Sequence, residues 1–164
     1  MRAVVLFLLA VLPLEAASRT RIEADSADYD GKKIRMCGSV FLQHEFGTIR
    51  CTKGVMLMKE GSEKRIDPDR IMLHGAVEVV LQDGSVLHAD EADINCNTLE
   101  GVFTAEAPNK VTYLTRVEEE GKACPVKTTS RAMRVVMKQQ NQEYVVQDLQ
   151  AEGSVNIEYQ QEKE

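Results

Sequence analysis

The chain of 164 residues contains no tryptophan, and aromatic residues make up 5% of it. That excludes an interior of stacked rings; frequent Val, Ile and Thr point instead to strands lined with aliphatic side chains. Basic residues form no patch and the formal charge is −6. Nucleic acid is therefore excluded as a partner, because phosphate binding needs clustered Lys and Arg. No CxxC pair is present, and His44, His74 and His88 stand at no zinc-like spacing to a cysteine. A nucleophile elbow and a phosphate-binding glycine loop are also missing, so neither an enzyme nor a bound cofactor is expected. The stretch HADEAD at 88–93 sets a His beside carboxylates and suggests a hard metal site. Its acidic spacing recurs at 24–30 without the His, so a solvated strand edge, with no metal, is expected.

No apolar run is long enough to span a bilayer, which takes roughly 20 residues. The run Ala3–Leu14 is twelve residues, follows Met1-Arg2 and contains Pro13. Glu15 ends it, and Ala16, Ala17 and Ser18 offer a cleavage site. This is the layout of a secretory signal peptide over residues 1–18, with a retained membrane anchor as the alternative. Export makes disulfides permissible for Cys37, Cys51, Cys96 and Cys124. Four cysteines allow three pairings, and small buried thiols serve as well as a bridge.

What the sequence does have is a repeat. Ile34, Met36, Gly38, Val40 and Leu42 fall on one face of an alternating strand. Leu149, Ala151, Gly153, Val155 and Ile157 repeat the pattern, as do Ile71, Leu73, Gly75, Val77 and Val79. A looser copy runs Phe103, Ala105, Ala107, a Pro108-Asn109 interruption, then Val111 and Tyr113. The central small residue lets the strand coil tightly, or else keeps an interior channel open where Leu would fill it. A second unit alternates with the first: Ile22, Ala24, Ala27 and Tyr29 correspond to Leu87, Ala89, Ala92 and Ile94. Ile49, Cys51, Gly54 and Met56 fit the same frame, and 128–135 fits it weakly. Spacing of two, three, two marks a bulge or bend within a strand. Asp83-Gly84 is a two-residue hairpin signal, so the third Gly-Ser-Val copy at 84–86 belongs to a turn. The segment 116–127, acidic with Gly121 and Pro125, is expected to be a loop or disordered insertion, and 130–142 a strand in spite of some helical propensity.

The alternation of A-D-x-A-x-Y-D-G at 24–31 with G-S-V-x-L at 38–42, repeated behind a leader, resembles the OstA-like domain. That domain defines the LptA family of periplasmic lipopolysaccharide transport proteins, with LptC and the N-terminal part of LptD in the same superfamily. The resemblance covers about residues 20–159. It implies an all-β fold, a slightly twisted open β-jellyroll of repeated antiparallel strand pairs, over residues 19–159, with 160–164 as a disordered tail. It also implies a periplasmic bridge that carries lipid A acyl chains in an apolar groove between the inner and outer membranes. The candidate groove residues are Ile34, Met36, Val40, Leu42, Leu73, Val77, Val79, Leu81, Ala89 and Val111. Edge strands at Ile22, Ala24, Ala27 and Tyr29 and at Val155, Ile157 and Tyr159 would join LptC-like and LptD-like components, or further copies head to tail. The alternatives are an anchored LptC-like component, a carrier of another lipid, or an envelope scaffold that assembles through its edges without cargo.

Overall fold

The spacing of apolar residues changes once within almost every strand, and at each change the backbone turns a corner. The computed structural model describes residues 20–63 and 66–159, so the expected leader 1–18 and tail 160–164 lie outside the described residues. Those residues form twelve strands and no helix. They are β1 (Arg21–Glu23), β2 (Ser26–Tyr29), β3 (Lys33–His44), β4 (Gly47–Met58), β5 (Pro68–Leu81) and β6 (Val86–Asn95). Then follow β7 (Glu100–Thr104), β8 (Val111–Glu119), β9 (Lys122–Ser130), β10 (Ala132–Gln140), β11 (Glu143–Glu152) and β12 (Asn156–Tyr159).

All ladders are antiparallel, and the twelve segments amount to eight bent strands in an up-and-down order. β1 and β2 both pair with β3. β8 and β7 pair with the two halves of β6, β9 and β10 pair with β8 and β7, and β12 and β11 close the row. Each bent strand therefore contributes to two leaves. One contains β1, β8, β9, β12 and the adjoining halves of β3 to β6; the other contains β2, β7, β10, β11 and the remaining halves.

The corner uses two backbone devices in alternate strands. Inner-facing residues are three apart across it at Ala24/Ala27, Cys51/Gly54, Ala89/Ala92 and Ser130/Met133, which is the two-three-two frame of the sequence. They are four apart at Met36/Val40, Leu73/Val77 and Ala151/Val155. There the extra residues are left-handed pairs: Gly38-Ser39 (φ +77°, +47°), Gly75-Ala76 (+81°, +47°) and Gly153-Ser154 (+78°, +53°). In the β3–β4 and β5–β6 ladders these two residues stand opposite one on the partner strand, the signature of a bulge. In the bent strand made of β7 and β8, the loop 105–110 takes the place of a Gly pair. The Asp90 carboxylate holds it, accepting hydrogen bonds from the Glu106 N–H (2.8 Å) and the Asn109 side-chain amide (3.0 Å).

These glycines settle one expectation. A Cβ at Gly75 would lie 2.8 Å from the Thr52 Cβ, at Gly153 2.9 Å from the Arg131 Cβ, and at Gly38 against Asp25. All three neighbours are exposed, so the small residue is needed on the outer face, where the preceding strand's corner crosses. The glycines let the strands coil tightly; they do not keep an interior channel open.

Two turn expectations need correction. Gly84 (φ +83°) is in the β5–β6 hairpin, but the loop holds three residues: Gly84 N–H donates to the Leu81 carbonyl (3.0 Å) and Leu81 N–H to Ser85 (2.9 Å). Segment 116–127 is no insertion. Val117 pairs with Cys124 and Glu119 with Lys122 across a Glu120-Gly121 turn whose residues both have positive φ. Such a turn matches the twist of two strands, so the glycine that read as a breaker joins them. Segment 130–142 contains strand β10, as expected.

The inner faces of the two leaves form one continuous apolar core, from Met36 and Val40 through Ile71 and Leu87 to Met133 and Val135. Cys51 and Cys124 are buried, Cys96 half-buried and Cys37 exposed, and all four thiols are free. Burial pushes the Cys51 thiol up to about 11 and the Cys96 thiol up to about 12.

Two outcomes follow. Gly75→Val, a β-branched residue forced left-handed against Thr52, is expected to cost about 2–3 kcal/mol. Ser154→Ala, matching what Ala76 already does, is expected to change stability by less than about 0.5 kcal/mol. Denaturant midpoints at constant m-value measure both. With a thiol reagent at pH 8, Cys37 is expected to react at once, and Cys51 and Cys96 only once the chain unfolds, since the thiolate is the reacting form. Fewer than four reactive thiols in denaturant would contradict this cysteine state.

Candidate functional site

Alternation puts every second side chain of each leaf inside, and the ten groove candidates all follow it. Val40, Leu42, Val77, Val79 and Val111 are at most 1% exposed; Met36, Leu73, Leu81 and Ala89 are also buried. Ile34 is half-buried and packs against the same cluster. The ten thus meet in one interior. It also contains residues that the sequence did not single out for this role: Phe46, Ile49, Met56, Ile71, Leu87, Ile94, Phe103, Met133, Val135 and Met137. Alternation marked several of these; Phe46 stands at a turn and carries no periodic signal.

The chemistry of this interior is nearly uniform. Among the described residues its buried polar side chains are the hydroxyls of Ser85, Thr128 and Ser130, with Tyr113 beside them. Tyr113 donates to Ser85 (3.3 Å), Ser85 and Thr115 share a hydrogen bond (2.9 Å), and Ser130 donates to the Ala132 carbonyl (2.8 Å). No charge is buried there. Such a surface suits hydrocarbon and offers nothing to anchor a phosphate or carboxylate.

Charges sit on the outer face, where they join neighbouring strands. Arg35 pairs with Asp28 (2.8 Å), Arg50 with Glu78 (3.1 Å), Arg134 with Glu100 (2.5 and 2.9 Å), and Arg70 forks onto Asp93. Arg134 holds the Glu100 carboxyl below its usual range, and the N–H groups of Lys32 and Lys33 do the same for Asp30. The HADEAD stretch is part of this lattice. Glu91 pairs with His74 (2.9 Å), Asp93 takes Arg70, and Asp90 holds the corner loop. Its carboxylates thus go to separate partners, and no metal-holding cluster occurs among the described residues.

The two leaves do not cover each other completely. On the first leaf the inner face runs on past the core through Val117, Ile157 and Tyr159, which are 41%, 66% and 40% exposed. Register places them inside: Val117 pairs with the buried Cys124, Ile157 with the buried Thr128, and Tyr159 with Val126. Val155, also exposed, begins this strip at the corner. On the second leaf, Ala27 and Tyr29 pair with Met36 and Ile34 and are likewise on the inner face and exposed. Ile22 and Ala24 are half-buried against the core. The residues expected at the two edges therefore extend the apolar interior at opposite ends of the sheet. β11 is also an edge strand; the sequence marks Leu149 and Ala151 of it as strand but gives no sign of the edge, because its outer half alternates poorly.

Opposite the corner the leaves meet at Tyr144. Its hydroxyl donates to the Glu45 carboxylate (2.8 Å), and its N–H donates to the side-chain oxygen of Gln82 (2.7 Å). Burial, then the Glu45 carboxylate, pushes the Tyr144 hydroxyl up to about 12, so it remains a donor.

Neither a family model nor a curated protein sequence matches the chain. Among solved structures, it is similar to the crystal structure of LptH from Pseudomonas aeruginosa, described as the LptA homologous periplasmic component of the conserved lipopolysaccharide transport device. The TM-score is 0.57 at 12% identity, over 88% of this chain and 96% of that one. At that identity the likeness is one of fold: this chain shares the open, all-β jellyroll of that protein.

Proposed function

We propose that this chain is a periplasmic, non-enzymatic carrier that binds the lipid A acyl chains of lipopolysaccharide between its two leaves and passes them along a bridge from the inner to the outer membrane. The observation that carries the proposal is the uncharged aliphatic interior, which continues uncovered onto both ends of an open sheet. A soluble protein with no need of a cargo or partner would gain by covering Ile157 and Tyr29. Each acyl CH₂ removed from water is worth ~0.8 kcal/mol, so several chains bind firmly without a cationic site. Phosphates and sugars stay outside, in keeping with the acidic net charge. The likeness to LptH supports the same reading.

Entry of a chain parts the leaves about the corner, exchanging contacts between Val40, Leu42, Val77 and Val79 and the opposite leaf for contacts with lipid. Because both are aliphatic, the exchange is close to neutral, as release of the cargo requires. At the ends, β2 and β12 each have one edge with no ladder among the described residues, beside apolar inner faces, suited to strand addition by LptC-like or LptD-like components or by another copy, which would extend the groove.

A photo-crosslinker at Leu42 or Val79 is expected to capture lipopolysaccharide in cells that make it, whereas one at Glu118 on the outer face of the β8–β9 hairpin is not. Equal labelling at all three positions would defeat the proposal. Ile157→Lys, which sets a charge on the uncovered strip, is expected to weaken self-association at high concentration while leaving the β-sheet spectrum intact, as read by sedimentation and circular dichroism. Unchanged association would remove the β12 edge from the assembly.

A further inference from the structure

At their corner the leaves are continuous in chain, and across the interior they touch through non-directional apolar contacts. Their far ends are different. Tyr144 is at the outer end of β11, the edge strand of the second leaf, and packs against the core. Glu45 is in the β3–β4 turn and Gln82 in the β5–β6 loop, both at the end of the first leaf farthest from the corner. These two tips form one receiver, because the Gln82 N–H donates to the Phe46 carbonyl (3.2 Å). A single residue of one leaf thus makes a side-chain and a backbone hydrogen bond to two hairpins of the other, 99 and 62 positions away in sequence. Parting the leaves about the corner lengthens both bonds before any other directional contact described between these ends. β11 suits such movement, since among the described residues it is paired along one side only, to β10.

We propose that Tyr144, with Glu45 and Gln82, is a latch that holds the leaves shut and sets the rate at which acyl chains enter. This rests on the carrier function proposed above. The Tyr144 hydroxyl gives the latch a charge-assisted bond, and the ring behind it covers the end of the core. Releasing the bond leaves the interior and both overhanging strips as they are, so it changes the rate of entry more than the chemistry of the bound state.

The test uses fluorescently labelled lipopolysaccharide and the full mature chain. Tyr144→Phe keeps the ring and removes the bond, and is expected to speed probe uptake about fivefold, the Boltzmann factor of one such hydrogen bond. Hydrogen exchange of the 143–146 amides is expected to accelerate without any lipid present. In a background of Cys37→Ser, Cys51→Ala, Cys96→Ala and Cys124→Ala, Glu45→Cys with Tyr144→Cys bridged by a reducible bismaleimide is expected to stop uptake, with recovery on reduction. If that background does not fold, the Tyr144→Phe rate and the exchange data decide by themselves. Uptake at one rate in wild type, Tyr144→Phe and the bridged protein overturns the latch and leaves the carrier function standing. A wild-type protein that takes up no probe overturns the carrier function, and the latch as a gate with it.

Discussion

Everything in this fold depends on a corner. An antiparallel sheet with one apolar face and, among the described residues, no helix to cover it must cover itself, and it does so here by bending all eight strands at the same line. Alternate strands meet the bend in different ways, one with an odd residue and the next with a left-handed Gly pair or a loop. The two devices keep the ladders in register while they change direction. A Cβ at Gly38, Gly75 or Gly153 would collide with the corner residue of the preceding strand, so the bend is fixed by sterics rather than by a particular attraction.

From the corner follow both the interior and its openness. Two twisted leaves that share a fold line cannot cover each other along their whole length, and each runs past the other at one end. The core is therefore continuous with two exposed apolar strips. Ion pairs such as Arg134–Glu100 and Arg70–Asp93 are confined to the outer face, where they tie strands within a leaf and leave the leaves free of each other. Exposed pairs of this kind add little stability; their position matters more than their number. Away from the corner, the contacts described between leaf and leaf are hydrocarbon contacts and the polar bonds of Tyr144.

Much of this was legible in advance. The paired motifs at 22–29 and 87–94, with their odd residue, located the bend in β1–β2 and β6, and the Gly-Ser-Val copies at 38 and 153 located it in β3 and between β11 and β12. The reason is local: alternation and left-handed φ are properties of a few neighbouring residues. The segment 116–127 was misjudged because Gly121 and three successive glutamates have the composition of a loop, while their pairing with β9 depends on register. Thr128 and Ser130 obscured the fourth repeat, since polar residues there point inward and find hydrogen-bond partners that only the folded chain supplies.

The sequence by itself determined which face of each strand is apolar and where each strand bends, because both arise from side-chain type and backbone sterics within a few residues. The tertiary structure decided which part of that face is sealed and which overhangs. Val79 and Ile157 occupy equivalent inner positions, yet one is buried and the other 66% exposed, according to whether the opposite leaf reaches it. It also brought Tyr144 to Glu45 across 99 residues. Coverage and closure belong to the relation between two leaves, and no single strand encodes that relation.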